Sequence, residues 1–510
     1  MFKRIVSVVL CAVLLLETSA CHSTRRRAVE PQAVAMERQQ GEWIIALTMK
    51  SGTVIEFQRA SRRGNLVAAV RPWIANDSAY AILKDSTRFA APLSDVERVW
   101  LARRSGNTLG TIGAVVGVVA GVLLVAAIIV AATKESCPFV YSWDGAQFVF
   151  DAEPYGGAVT AGLERDDYAE LENLRAVDGA YRIRVTNEVN ETQFTNLFEI
   201  WAVDHPTGTR AVADEWGGIH TLESPLPPTA VRDADGRDLL SWLEQTDRRI
   251  WEPMAERRAG GAVRQDIVLS FPKPEGATTA KLVANVATGL WGSHMIREML
   301  ELRGTAIDDW YAAIDGDSVV LDSLMQWNYR EELYLLKLYV EEPSGWEVRG
   351  MLPGGGPFIA EDRVVPLDVS RVPGDELRVR IRPPLGFWAL NSFAVDYSSD
   401  AEVRVTPTSL MAAQDHRGRD VRALLVAADD QYHEMPALGD WADVTFPAVS
   451  DPQPGLTRTM FLHSRGYYRL HLSQDGTPQT ALIDEFFRTP DAAAVYAVER
   501  YGAWQEAASR

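Results

Sequence analysis

The sequence predicts a mainly β protein with a small N-terminal β unit, one transmembrane helix, and duplicated β-sandwich-like modules with short inserted helices. Three observations predict this class. Short runs of β-forming residues, separated by turn signals, dominate the chain on both sides of one apolar run. The apolar run at 109–133 is long and has no polar face. An ordered set of short motifs then occurs twice, which indicates an internal duplication.

Composition limits the classes of function. A chain of 510 residues holds two to four domains. The net charge of −18 argues against a nucleic-acid partner, because phosphate binding needs clustered Lys and Arg. Three cysteines without zinc spacing predict neither a disulfide framework nor a metal site. The catalytic motifs of hydrolases, nucleotide-binding proteins and metalloproteases are missing, so we predict no catalytic residue and no cofactor.

Residues 1–20 are typical of a lipoprotein-type signal peptide, and 21–42 of a polar tether. Lys3 and Arg4 precede twelve apolar residues, and small residues precede Cys21. Twelve residues span about 18 Å as a helix, which is too short for a bilayer core of about 30 Å. We predict acylation of Cys21, with a plain cleaved signal and an uncleaved anchor as the alternatives.

Residues 43–103 are predicted to form a small β unit. The run 43–49 is rich in β-forming residues, and 53–57 alternates after a turn. Further strands are predicted at 65–70, 80–83 and 96–101. This spacing resembles small barrels of the Sm or SH3 type.

The run 109–133 is predicted to be the transmembrane helix, since 25 residues span about 37 Å. Gly113, Gly117 and Gly121 recur every four residues and give one helix face a smooth stripe. Another helix can approach such a stripe closely, which predicts self-association in the membrane. The alternative is chance spacing in a span rich in Gly, Ala and Val.

The charges beside the span conflict with the signal peptide. A cleaved export signal places 22–108 outside the cytoplasm, and an inner-membrane span would return 134–510 to the cytosol. Three arginines precede the span and Lys134 alone follows it, so the positive-inside rule points the opposite way. We expect a cell-envelope location for the large C-terminal region, at the outer membrane or the periplasmic face, with membrane lipid as a partner.

Beyond the span, short strands predominate. The segment 137–180 is predicted as a connector whose hairpin turns at Asp144 and Gly145. A first β module at 181–300 and a second at 377–510, which includes the C-terminal tail, flank a mixed segment at 301–376. Short helices are predicted at 239–245, 293–302, 307–314 and 421–428.

The two modules share motifs in one order. The run DADGRD at 233–238 recurs as DHRGRD at 415–420, each before a short helical pattern. LSFP ending at Pro272 matches VTFP ending at Pro447, and RIR at 182–184 matches RVR at 378–380. The ordered set predicts a duplication.

The duplicated turn carries the candidate structural residues. Carboxylates at alternate positions in the first copy are typical of a calcium-binding loop, but Arg417 replaces the middle carboxylate in the second copy. A turn followed by a helix cap explains both copies, because Asp turns the chain, Gly supplies a positive φ, and a second Asp caps the helix. The residues concerned are Asp233, Gly236, Asp238, Asp415, Gly418 and Asp420.

Several segments resemble known proteins. CPFVYSWDGAQFVFDAEPYGGA, which begins at Cys137, resembles a segment of uncharacterised bacterial envelope lipoproteins, where it also follows a predicted span. VDHPTG at 203–208, GWEVRG at 345–350 and RTMFLHSRGYY at 458–468 are similar to the β modules of exported bacterial proteins that carry FG-GAP or tetratricopeptide repeats. The resemblance implies extracytoplasmic placement and β architecture, and it supplies no catalytic residues.

These observations predict a membrane-anchored cell-envelope protein with a non-catalytic scaffolding, adhesion or assembly role. The alternative is a carbohydrate-binding or glycan-processing surface protein that uses exposed Trp and a carboxylate pair. A cleft with Trp on its floor and two facing carboxylates would favour the alternative.

Overall fold

The computed structural model describes seven strands within residues 24–104, and residues 138–508 apart from 248 and 254–260. Strands predominate over helices in both regions, which confirms the mainly β class. No helix in these regions is both long enough and apolar enough to cross a bilayer. The predicted signal peptide, Cys21 and the glycine-striped span lie outside the described residues.

The first compact unit, Met1–Leu124, contains an antiparallel sheet. Its order is β1-β7-β2-β3-β4-β5, with β6 beside β4. The predicted tether differs from the structure, because part of it is β1, which pairs along its whole length with residues 99–104 of β7. The strands are β1 (Thr24–Val29), β2 (Glu42–Met49), β3 (Val54–Arg63), β4 (Leu66–Ala75), β5 (Ala81–Ile82), β6 (Phe89–Pro92) and β7 (Val96–Arg104).

The second unit, Val125–Arg510, contains the strands of the predicted modules. Its first part holds β8 (Phe139–Trp143), β9 (Phe148–Ala152), β10 (Arg165–Glu170), β11 (Ala180–Thr186), β12 (Glu191–Pro206), β13 (Arg210–Ala213), β14 (Ile219–Leu222), β15 (Ala230–Asp233), β16 (Ile267–Pro272) and β17 (Thr279–Thr288). Its second part holds β18 (Leu335–Glu342), β19 (Gly345–Pro353), β20 (Glu361–Asp368), β21 (Glu376–Ile381), β22 (Trp388–Asp396), β23 (Arg404–Thr408), β24 (Ala412–Asp415), β25 (His433–Met435), β26 (Trp441–Pro447) and β27 (Leu456–Leu470).

Helix α1 (Leu240–Leu243) lies between β15 and β16. Three helices lie between the two sets of strands, α2 (Leu290–Glu301), α3 (Ile307–Gly316) and α4 (Ser318–Glu331), and two follow β27, α5 (Thr480–Arg488) and α6 (Ala492–Ala508). The sequence predicts α1, α2 and α3, although α2 begins three residues before the expected Ser293. The predicted helix at 421–428 is only a short 3-10 turn, Arg422–Leu424. The sequence does not predict α4, α5 or α6.

The strands form two sandwiches of the same topology. One pairs the sheet β24-β26-β11-β8-β9 with a sheet built on β10-β27-β12. The other pairs β15-β16-β21-β18-β19 with β20-β17-β22. Each sandwich has one core shared by its two sheets: Ile183 and Leu462 belong to the first, and Leu269 and Phe393 to the second. The predicted duplication therefore corresponds to two sets of strands with identical neighbours.

The two repeats exchange halves. In chain order, β8–β12 and β15–β17 form the first repeat, and β18–β22 with β24, β26 and β27 form the second. The first sandwich combines β8–β12 with the last three strands of the second repeat. The second sandwich combines β18–β22 with the last three strands of the first repeat.

This exchange corrects the predicted boundaries. The modules expected at 181–300 and 377–510 are not separate sandwiches, since strands from both segments pair within each sandwich. The hairpin expected to be a connector at 137–180 belongs to the first repeat, because β8 pairs with β11 as β18 pairs with β21. Part of the expected inter-module segment at 301–376 is likewise the start of the second repeat.

Candidate functional site

A cavity of about 400 Å³ lies among α2, α3, α4, α5 and the loop between β9 and β10. Apolar side chains make up most of its wall. The lining residues are Gly156, Gly157, Ala158, Val159, Gly162, Leu163, Glu164, Arg165, Ile296, Met299, Leu300, Arg303, Trp310, Leu321, Leu324, Met325, Trp327, Asn328, Tyr334, Ile483, Phe486 and Phe487.

Helix α4 contributes an apolar face that the described part of the chain covers only in part. Leu321, Leu324 and Met325 follow helical spacing, and all three line the cavity. Glu331 is the buried residue of α4, whereas Leu321 and Leu324 are half-buried and Met325 is 44% exposed. An amphipathic helix normally buries its apolar face against a core. This one faces the cavity instead, which indicates room for an apolar ligand.

Hydrogen bonds fix the wall formed by α4 and α5. The Trp327 indole N–H donates to the carbonyl of Phe486 at 2.8 Å. The Arg330 guanidinium donates to the carbonyls of Phe486 and Phe487, each at 2.8 Å. Because these bonds satisfy the last carbonyls of α5, they hold α5 against α4 within this wall.

The opposite wall is the loop between β9 and β10. Asp315 of α3 accepts hydrogen bonds from the Thr160 hydroxyl and the Gly162 N–H, which holds the loop against the helix. Gly156 packs on the matching loop of the second repeat, where a Cβ would lie 2.6 Å from the Gly355 carbonyl carbon. The cavity therefore lies where the two repeats and the helices between them meet.

One cation on the cavity wall has no counter-charge. The Arg303 guanidinium lies 4.4 Å from the centre of the Trp310 ring. Its side chain has no hydrogen bond or ion pair within the described region, and its Nε is buried. Burial lowers the pKa of Arg303 to about 10, against a smaller opposing effect of Tyr311.

The other charged lining groups are paired. Glu164 lies 3.1 Å from Arg465, and Arg165 lies 3.7 Å from Asp167. Burial raises the pKa of the Tyr311 phenol to about 12, so this neighbour of Arg303 is neutral at pH 7. The cavity wall thus carries one uncompensated positive charge.

The duplicated turn has the same hydrogen bonds in both copies. Asp233 accepts the N–H groups of Asp235 and Arg237, and Asp415 accepts those of Arg417 and Arg419. Asp238 accepts the N–H of Leu240, and Asp420 that of Arg422, at the start of each short helical segment. Gly236 and Gly418 have φ of +78° and +77°. In both copies the first Asp therefore closes the turn, and the last Asp accepts the N–H two residues later.

The pair Asp204 and His205, which sequence alone could read as catalytic, is held by structural contacts. Arg458 makes two hydrogen bonds with Asp204, at 2.6 and 2.9 Å. Both ring nitrogens of His205 lie 3.0 Å from threonine hydroxyls. Burial lowers the pKa of His205, so its imidazole is neutral at pH 7.

The carbohydrate alternative needs an exposed tryptophan and facing carboxylates. Trp216, at the turn between β13 and β14, is 81% exposed. The nearby carboxylates of Asp214 and Asp400 lie 3.3 and 2.8 Å from the two nitrogens of His220. This carboxylate pair holds an imidazole between its oxygens, and Trp216 does not line the cavity.

Sequence reasoning missed Arg303, Trp310 and the lining residues of α4. No motif marks them, since the residues come together from α2, α3 and α4 only after folding. The available signal was the apolar pattern at 321, 324 and 325, together with Asp317, whose side chain accepts the N–H of Val319 and caps α4.

Comparisons with known proteins supply no functional relative. No family model matches the chain. No curated protein matches it either. Among solved structures, it shows 9% identity and a TM-score of 0.16 to the GH31 α-xylosidase of Xanthomonas citri, covering 83% of this chain and 38% of the enzyme.

A second solved structure is a glycoside hydrolase family 43 arabinoxylan arabinofuranohydrolase of Bacillus subtilis in complex with cellotetraose. The identity is 12% and the TM-score 0.13, over 71% of this chain and 66% of that enzyme. TM-scores this low carry no argument about fold or function for either enzyme.

Proposed function

We propose that this protein binds a small apolar molecule in the cavity between α4, α5 and the loop that follows β9. The observation that carries the proposal is the uncovered apolar face of α4, which lines a cavity of about 400 Å³. Ligand sites are typically apolar cavities of about 300–1,000 Å³ with a few polar groups. Burial of an alkyl chain contributes about 0.8 kcal/mol per methylene, so each added methylene strengthens binding about fourfold until the cavity is full.

The predicted location in the cell envelope fits this role and stays a prediction. Acylation of Cys21, a span at 109–133 and self-association through Gly113, Gly117 and Gly121 would anchor the body in the cell envelope. A protein anchored there meets apolar molecules at the membrane surface. Scaffolding, adhesion or assembly remains a separate prediction for the outer faces of the sandwiches, and carbohydrate binding remains one for the surface around Trp216.

The test is a ¹⁹F NMR titration of the full chain in lipid nanodiscs. The ligand is an eight-carbon alcohol with a terminal trifluoromethyl group, because the fluorine shift separates molecules in water, in lipid and in a protein cavity. Leu324→Trp fills the cavity, whereas Val319→Trp adds the same ring to α4 at a position that is 74% exposed. We expect a bound resonance with the wild type and Val319→Trp, and its loss with Leu324→Trp. Equal binding by both variants would place the ligand elsewhere.

A further inference from the structure

Arg303 distinguishes this cavity from a purely apolar one. Its guanidinium lies over Trp310 at 4.4 Å, which restricts the plane in which its N–H groups point. Within the described region the side chain makes no hydrogen bond or ion pair, although Nε is buried. A buried N–H donor without an acceptor is unfavourable, and an anion beside the guanidinium would supply that acceptor.

Arg303 is the charged residue of the cavity lining that has no ion pair within the part of the chain that the structure describes. The other two charged groups that line the cavity are paired, Glu164 with Arg465 and Arg165 with Asp167. The phenol of Tyr311 is neutral. A ligand with a single negative charge therefore completes the balance, whereas a dianion would bring one charge that nothing at the site compensates.

We infer that the ligand is a single-chain amphiphile whose carboxylate head is bound by Arg303 and whose apolar chain lies along α4. This inference rests on the proposed function, because it names the class of molecule that the cavity holds. The planar guanidinium fork matches a carboxylate with two parallel hydrogen bonds. The Trp310 ring and the apolar face of α4 then cover the chain.

The experiment compares three ligands that share one fluorinated eight-carbon chain: the carboxylic acid, the alcohol and the phosphate monoester. Binding to the full chain in nanodiscs is measured by ¹⁹F NMR near neutral pH. We expect the acid to bind about tenfold to a hundredfold more tightly than the alcohol, as charged hydrogen bonds give. The phosphate should bind more weakly than the acid.

Variants assign the preference to the guanidinium. Arg303→Met should lower acid affinity by the same factor and leave alcohol affinity within about twofold. The control Arg488→Gln, on the exposed side of α5, should change neither. Should Arg303→Met lose the alcohol as well, Arg303→Lys decides. A retained acid preference supports the inference, and its loss with alcohol binding intact overturns it.

The outcomes separate the inference from the proposed function. If acid and alcohol bind the wild type equally, recognition of the head group by Arg303 is wrong although the cavity binds apolar chains. If the phosphate binds more tightly than the acid, the monoanion assignment is wrong. If none of the three ligands binds, the proposed function itself fails.

Discussion

Glu252 is a buried carboxyl group at the start of α2, and its replacement by glutamine tests the local electrostatics. The side chain is 4% exposed and accepts the backbone N–H groups of Leu290 and Trp291. Gly289 leaves room for it, since a Cβ there would lie 2.7 Å from Glu252 Oε1. Burial raises the pKa of Glu252 to about 8 in spite of the two hydrogen bonds, which favour the charged form.

This shift makes stability depend on pH. The Glu252 carboxyl holds its proton more tightly in the folded protein than in the unfolded chain. Its contribution to the free energy of unfolding is therefore fully present below about pH 4.5 and is lost as the pH rises through about 8. At 1.36 kcal/mol per pKa unit, the loss is about 5 kcal/mol. Glu252→Gln keeps a neutral acceptor at the helix start, so the variant should lack this loss.

The assay is urea unfolding of the full chain from about pH 5 to about pH 8, followed by circular dichroism. The free energy of unfolding of the variant should rise above that of the wild type by several kcal/mol over this range. Glu434 is exposed and lies as far after Gly418 as Glu252 lies after Gly236, so Glu434→Gln is the matched control and should follow the wild type. A constant difference between Glu252→Gln and the wild type over the whole range would show that the buried carboxyl is ionised when folded.

Two further predictions concern the repeats. Asp233→Ala and Asp415→Ala each leave two backbone N–H groups without their acceptor, so each should lower the free energy of unfolding by about 1–3 kcal/mol. Asp233→Asn keeps an acceptor oxygen and should lower it less. Urea unfolding measures these differences, and an effect in one copy alone would contradict the shared turn. Arg184 and Asp443 are register partners, so cysteines at these two positions should form a disulfide under oxidation. Cysteines at Arg184 and Val268 should not form one, and a disulfide between them would mean that the repeats do not exchange halves.

The strands and the duplication can be predicted from the sequence, because both depend on local residue patterns. Asp144 and Gly145 predict the first hairpin, and Asp144 does accept the N–H groups of Ala146 and Gln147. The turns at Asp233 and Asp415 were recognisable because a side chain bonded to its own loop leaves a short motif. Both features are decided within about six residues.

The exchange of halves was not predictable in this way. β11 and β21 share the same alternation of apolar residues with arginine, and β16 and β26 both end in Phe-Pro, so either partner gives a strand an apolar face in the same register. A repeat in the sequence shows which strands are equivalent and does not show which copy each strand pairs with. That choice depends on the connections between strands and on the helices inserted between the repeats.

The cavity was missed for a related reason. Val319 and Val320 lower the helix propensity at the start of α4, so the sequence does not predict a helix in this segment. Arg303 is unremarkable in sequence, and only the folded structure shows that its buried Nε has no hydrogen-bond partner within the described residues. A site formed from several helices with one unpaired charge leaves no local motif.

Photo-crosslinking locates the residues of this protein that contact a bound apolar chain. The full chain in nanodiscs is illuminated with a fatty acid that carries a diazirine in mid-chain, and the labelled peptides are identified by mass spectrometry. We expect label at 296–303, 321–328 and 483–487, competition by unlabelled acid, and loss of label in Leu324→Trp. Label spread over the sandwich strands, or label unaffected by Leu324→Trp, would contradict the account.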